Sequence, residues 1–235
     1  MDDRTSGPGE PRRPRASVIA HRGASRAAPE NTVLAFRRAR DMGADAVELD
    51  VRRCATGELV VRHDPCVVPR AELGPDVPSL TEALDACAPM WVNVEIKNDP
   101  SEPDFDPADG VAREVAALLV ARPEPRSRWL VSSFRRETTD AMRRHAPGIR
   151  VAWLCVGIPD ADRDATLASL ARDGYAALHP WVGAVTRELV DACHAHGLAV
   201  NVWTCDDPAR TTELAAWGVD GICTNVPDVA LALLR

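Results

Sequence analysis

WVNVEIK (91–97) alternates between two kinds of side chain. In an extended strand, successive side chains point to opposite sides. Val92, Val94 and Ile96 therefore share one face, and Asn93, Glu95 and Lys97 share the other. Such a strand suits a barrel wall, with its apolar face under a layer of helices and its polar face turned inward. AVELDV (46–51) follows the same rule, sending Val47 and Leu49 outward and Glu48 and Asp50 inward. In AVNVWT (199–204), Asn201 and Trp203 turn inward. SVIAHR (17–22) has mixed ends, and His21 is its inward candidate.

Outward from these runs, strand-like and helix-like segments alternate. Further strands are expected at 129–134, 151–156, 176–181 and 221–225, and helices at 30–42, 79–88, 107–122, 135–146, 160–173, 186–196, 207–217 and 227–235. Ser79 with Glu82 reads as a capping box, Pro29 suits a first helical turn, and Gly197 and Gly218 fit helix ends. Strict alternation predicts an α/β fold with parallel strands. Eight strands and eight helices over 235 residues predict a (β/α)8 TIM barrel, a fold of roughly 250 residues. An open, doubly wound sheet is the alternative.

ELVVRHD (58–64) is also strand-like, but it follows AVELDV too closely for a parallel crossover. An extra antiparallel hairpin turning at Thr56-Gly57 is expected. Its partners would then sum to 113, setting Asp50 opposite His63. Only residues 65–78 separate this hairpin from the next helix, so any lid there is short.

The composition is that of a globular chain, with 46% hydrophobic and 27% charged residues. The formal charge of −7 argues against a nucleic-acid partner, which needs a basic face. No apolar run approaches the ~18 residues of a membrane span, so no stable membrane insertion is expected. Residues 1–15 are rich in Pro, Gly and charge and read as a disordered tail, leaving 16–235 as one barrel domain. The seven cysteines form no C-x-x-C pair, which fits a reducing, cytoplasmic compartment. Lys97 is the single lysine among 28 basic residues. Lysine is a compact point charge where arginine is a planar fork, so this position asks for something arginine does not supply.

Charge inside a barrel is costly unless it is paired or bound to metal. Glu48, Asp50 and Glu95 converge near strand C-termini, where barrel enzymes keep their sites. A hard divalent cation, Mg²⁺ or Ca²⁺, would relieve their mutual repulsion. Interior ion pairs offer a plainer account: Glu95 with Lys97, and Asp50 with Arg52 or His63. Three inward acids, one lone lysine and two histidines at neighbouring strand ends favour the metal.

AHRGASRAAPENTVLAF (20–36), GADAVELDVRRCATGELVVRHD (43–64), PSLTEAL (78–84), VNVEIK (92–97), SSF (132–134), HGLAVNVWT (196–204) and GVDGICTNVP (218–227) occur in that order. Together they resemble the glycerophosphodiester phosphodiesterase family over nearly the whole chain from Ser17. The resemblance implies a barrel enzyme that uses a divalent cation to release glycerol 3-phosphate and an alcohol from a small phosphodiester. It implies metal ligation by Glu48, Asp50 and Glu95 and acid–base roles for His21 and His63. Arg22 and Lys97 match the groups that hold phosphate, and Trp203 matches an aromatic at the substrate pocket. Thr224-Asn225 stands where the family often has Thr-Asp. A lysophospholipase D-type hydrolase using the same site, and a catalytically silent phosphate-binding barrel, are the competing readings. The alcohol, the metal, the division of labour between the histidines and the oligomeric state stay open. His145, His194 and His196 read as helix-end or surface residues, His179 as a residue that could reach the pocket, and Trp181 as packing.

Overall fold

The computed structural model of the protein describes residues 15–235. The predicted tail lies outside these residues except for Arg15, whose guanidinium donates two 2.7 Å hydrogen bonds to Asp45. The described chain runs β1 (Ser17–His21), α1 (Val33–Met42), β2 (Ala46–Arg53), β3 (Leu59–Val61), α2 (Leu80–Ala86), β4 (Trp91–Ile96), α3 (Gly110–Ala121) and β5 (Trp129–Ser133). It continues α4 (Arg136–His145), β6 (Arg150–Cys155), α5 (Arg163–Arg172), β7 (Ala177–Pro180), α6 (Arg187–Ala195), β8 (Ala199–Val202), α7 (Pro208–Trp217), β9 (Gly221–Thr224) and α8 (Pro227–Leu234).

Leaving β3 aside, the strands are parallel neighbours in chain order, and β9 pairs back onto β1. Closure removes both sheet edges, so the fold is the expected TIM barrel and not the open sheet. Val47, Leu49 and Val51 of β2 and Val92, Val94 and Ile96 of β4 are all at most 1% exposed. They join Leu80, Leu84, Val115 and Leu119 of the surrounding helices in one continuous core. Each such side chain contributes roughly 1.5–3 kcal/mol by leaving water, so the outward faces of the strands carry much of the stability.

The inward faces divide by height. Near the strand N-termini, Ile19, Ala46, Trp91, Leu130, Ala152 and Ala177 form apolar clusters. Nearer the C-termini the same faces present His21, Glu48, Asp50, Asn93, Glu95, Ser132, His179 and Asn201.

Two local expectations are corrected. The first helix starts at Val33, with Thr32 as its N-cap accepting from Ala35 N at 3.2 Å. Pro29 instead belongs to a turn that brings Glu30 and Asn31 to the barrel mouth. The hairpin register is also shifted by one residue. Val51 pairs with Val61, Arg52 with Val60 and Arg53 with Leu59, so partners sum to 112. The loop has three residues, because Cys54 N donates to Glu58 O at 3.0 Å and Gly57 takes a φ of 96°. A left-handed last residue is what a three-residue hairpin loop requires, and glycine adopts it freely. Arg62, not His63, therefore lies across from Asp50, its N–H donating to Asp50 O at 3.0 Å. The Ser79–Glu82 capping box is present, with Ser79 N donating to Glu82 Oε2 at 2.8 Å and Glu82 N to Ser79 Oγ at 3.3 Å. Residues 65–78 fold aside, seating Leu73 and Val77 on Cys54, Val60 and Cys66. No described helix is long and apolar enough to cross a membrane, and the seven cysteines are buried and free.

Candidate active site

A cavity of about 210 Å³ opens at the C-terminal end of the barrel, lined by His21, Arg22, Glu48, His63, Glu95, Lys97 and Trp203 among others. Asp50, 1% exposed, lies against Lys97 and Arg22 at its edge. All eight residues singled out in the sequence are thus gathered in one place. The period-two alternation accounts for this: neighbouring strands in register bring Glu48, Asp50 and Glu95 to one rim, with Asp50 directly opposite Glu95.

Glu48, Asp50 and Glu95 each offer an oxygen within 4.8 Å of the others. Two cations oppose them. Lys97 Nζ stands 2.6 Å from Glu95 Oε1 and 3.2 Å from Asp50 Oδ1. Arg22 Nε stands 3.1 Å from Asp50 Oδ2, and Arg22 N donates to Glu48 Oε2 at 2.9 Å. Arg22 also pairs with Glu30 at 2.8 Å, so the acids outnumber the two cations, and Glu48 meets neither the Lys97 ammonium nor the Arg22 guanidinium. Burial, then the neighbouring Asp50 and Glu95 charges, push Glu48 well above the usual carboxylate range. Burial also pushes Glu95 up, against the pull of Lys97. For Asp50 burial works in the same sense, but Lys97 and Arg22 outweigh it and hold the group below its ordinary value. Burial acts to lower Lys97, but Glu95 and Asp50 together outweigh it and the group is raised.

This is the signature of a site short of positive charge. Glu48 Oε1 is buried and accepts no hydrogen bond. The donor set is all carboxylate oxygen, the kind a hard divalent cation takes. The residues present therefore fit such a cation.

The plainer ion-pair account holds only in part. Glu95 does pair with Lys97, but Asp50 pairs with neither Arg52 nor His63. The oxygens of Asp50 are already taken by Arg22, Lys97 and Asn31. Arg52 sits where β2 runs past the barrel end, and its guanidinium reaches Glu102 and Asp104 while Nε donates to His63 O at 2.7 Å. His63 projects from the loop after β3, its side chain 41% exposed and its Nδ1 3.2 Å from Asp64. His21 is more enclosed: Nδ1 bonds Asn225 Oδ1 at 2.8 Å and Nε2 lies 3.9 Å from Glu48 Oε2. Burial lowers its pKa, although the bond to Asn225 works the other way.

Trp203 forms an aromatic wall with Phe134, their rings edge-to-face with centroids 5.4 Å apart, and its Nε1 donates to His179 O at 2.8 Å. His179 does reach the cavity, as a fully buried floor residue that accepts from Asn201 Nδ2 at 2.9 Å. Burial holds its pKa down at about 3. Trp181 is not a packing residue: it is 44% exposed on the rim. His194 and His196 pair with Asp220 and Asp164, away from the cavity.

Sequence reasoning missed Asn31, which donates to Asp50 Oδ2 at 2.8 Å and accepts from Asp50 N at 3.2 Å. It also missed Phe134, a lining residue. The P-E-N-T segment held the clue to Asn31, since it breaks the helical pattern just before Thr32. None of residues 65–78 lines the cavity.

Residues 21–73 and 66–229 match the model of the glycerophosphoryl diester phosphodiesterase family. The chain is 29% identical to the glycerophosphodiester phosphodiesterase of Caldanaerobacter subterraneus subsp. tengcongensis, over 93% of this chain and 97% of that protein. Among solved structures it is similar to a phosphodiesterase of Oleispira antarctica in complex with the product sn-glycerol-3-phosphate. There the TM-score is 0.78 at 25% identity, covering 93% of this chain and 96% of that one. A glycerophosphodiester phosphodiesterase from Parabacteroides distasonis gives the same TM-score and identity, 0.78 and 25%, covering 94% and 97%. With the match spanning nearly all of the described barrel, the chain belongs to the glycerophosphoryl diester phosphodiesterase family.

Proposed function

We propose that this chain hydrolyses glycerophosphodiesters to glycerol 3-phosphate and an alcohol, using a divalent cation and two imidazoles. The observation that carries the reading is the convergence of three buried carboxylates within 4.8 Å of one another, in one cavity edge with two histidines, a lysine and an arginine. Glu48, Asp50 and Glu95 would hold the cation, Mg²⁺ or Ca²⁺. Bound there, it would neutralise the phosphate oxygens and stabilise the charge that grows on them during attack. A doubly positive ion added there would offset the excess of acid over base and favour an anionic phosphodiester.

The protein's own groups do the rest. Lys97 and Arg22 orient the phosphate. One of His21 and His63 takes the proton of the nucleophile, and the other gives a proton to the leaving alcohol, as imidazoles do near neutral pH. Trp203 and Phe134 wall the substrate. Two routes are open to the pair. In one, the glycerol 2-hydroxyl attacks and gives a cyclic phosphate that water then opens; in the other, water attacks directly. A cyclic glycerol phosphate seen by ³¹P NMR during turnover identifies the first route. The unpaired, buried cysteines support the cytoplasmic reading of the compartment.

The test is release of glycerol 3-phosphate from glycerophosphocholine, abolished by a chelator and restored by Mg²⁺ or Ca²⁺. His21→Ala and His63→Ala should each abolish turnover in a folded protein, and a near-wild-type rate in either refutes the two-imidazole scheme. One observation favours a second substrate. The cavity has no cover from residues 65–78, and Phe134, Val156 and Trp181 stand exposed beyond the ends of β5, β6 and β7. Such a rim would tolerate a lysophospholipid with its acyl chain outside. A higher kcat/KM on lysophosphatidylcholine than on glycerophosphocholine would establish that preference.

A further inference from the structure

The most consequential contact of His21 is the one on its far side from the acids. Its Nδ1 meets Asn225 Oδ1 at 2.8 Å. Which end of the Asn225 amide faces the imidazole is decided one residue further out, at Asp206. Asn225 Nδ2 donates to Asp206 Oδ2 at 2.7 Å, and Asn225 N donates to Asp206 Oδ1 at 2.8 Å. Thr224 Oγ1 donates to that same Oδ1 at 3.0 Å. An ionised carboxylate has acceptors only, and Asp206 is held below its usual range: burial opposes this, and the hydrogen bonds from Asn225 and Thr224 prevail. The amide nitrogen must therefore face Asp206, and the amide oxygen must face His21. Ser25 Oγ donates to this same oxygen at 2.8 Å, which agrees with that sense.

An amide oxygen can only accept. The proton between the two residues therefore belongs to His21 Nδ1, and a neutral imidazole carries only one. Nε2 is left with a bare lone pair on the cavity side, 3.9 Å from Glu48. We propose that Asp206 and Asn225 are positioning residues that fix His21 in the Nδ1–H tautomer and so present Nε2 as the proton acceptor of the site. This rests on the reading of His21 as an acid–base group, and it assigns His21 the accepting role.

The two residues are a matched pair. Asp206→Asn would set two amide nitrogens against each other, so the Asn225 amide turns over and offers its N–H₂ to His21. Nδ1 then becomes the acceptor, and the tautomer inverts. Asn225→Asp would instead set two carboxylates 2.7 Å apart. Exchanging both residues restores the pattern: the amide now at position 206 donates to the carboxylate now at position 225, and that carboxylate accepts from Nδ1.

The test is long-range ¹H–¹⁵N NMR of the full chain with Mg²⁺ present, the His21 signals being assigned by their loss in His21→Asn. Wild type should show Nδ1 protonated and Nε2 bare. Asp206→Asn should show the inverse tautomer with kcat lower by about 10²-fold, the low end of what a positioned base contributes, and KM little changed. The double variant D206N/N225D should return both the tautomer and most of the rate. Nε2–H in the wild type overturns the proposal. So does an Asp206→Asn protein with wild-type tautomer and kcat. The wild-type spectrum decides the relay even where a variant does not fold. Activity of His21→Ala decides separately whether the imidazole moves a proton at all.

Discussion

The lower and upper halves of the barrel interior are built from the same strands yet follow opposite rules. Below, Ile19, Trp91, Leu130, Ala152 and Ala177 close the barrel with apolar volume. Above, residues two or four positions further along the same strands are Glu48, Asp50, Glu95, His21 and His179. The lower half gains free energy by leaving water, and the upper half gives some of it up: a buried carboxylate without a partner is a net cost. The division teaches where selection for folding ends and selection for chemistry begins along a single strand, in keeping with function at the C-terminal face of such barrels.

The largest effect that would break this contrast is on activity. Glu48→Gln should cut turnover by about 10³-fold, on the scale of losing one preorganised charge-stabilising group. The melting temperature of the metal-free protein should not fall, because the change removes a buried carboxyl that pairs with neither Lys97 nor the Arg22 guanidinium and whose charged form burial disfavours. A clear drop in metal-free stability would mean that Glu48 is structural. Leu130→Ala is the mirror experiment. It should cost about 2–5 kcal/mol in denaturant unfolding, the range for emptying a buried leucine site, with kcat per folded molecule unchanged. A large fall in kcat at intact stability would show the two halves to be coupled.

How legible is this division in the sequence? Period-two alternation in WVNVEIK and AVELDV sorts outward from inward residues without any coordinates, because strand geometry is rigid and local. The eight site residues follow from it together with the family resemblance. The hairpin register is not legible. A two-residue loop at Thr56-Gly57 would need a positive φ at its first residue, whereas the three-residue loop needs one only at Gly57, and the Thr-Gly pair alone does not force the choice. Asn31 and Asn225 are also hidden as partners. Each reaches a strand-end group from a loop close to it only in the folded barrel, and no spacing rule connects residue 206 to residue 225 and on to residue 21. Arg52 misleads because parity places it inward, whereas β2 has already left the barrel wall there.

The smallest expected effect sharpens the contrast by pH. His179 is neutral and buried, with its pKa held at about 3 against an unfolded value near 6.5. On acidification the unfolded chain takes up that proton first, so this residue costs nothing well above pH 6.5 and destabilises the fold increasingly between pH 6.5 and 3. At pH 6 the penalty is on the order of 1 kcal/mol. In His179→Gln the stability should fall less steeply over that window, as read from urea unfolding at a series of pH values. Parallel slopes in the two proteins would mean that His179 is solvated in the folded state.

The central claim is that Glu48, Asp50 and Glu95 together hold a divalent cation. It is tested most directly by anomalous scattering from crystals grown with Mn²⁺ as a Mg²⁺ surrogate, recorded on both sides of the manganese absorption edge. The account predicts a peak between the three carboxylates in the wild type and none in Glu48→Gln. Crystals saturated with Mn²⁺ that show no peak between these carboxylates would contradict it.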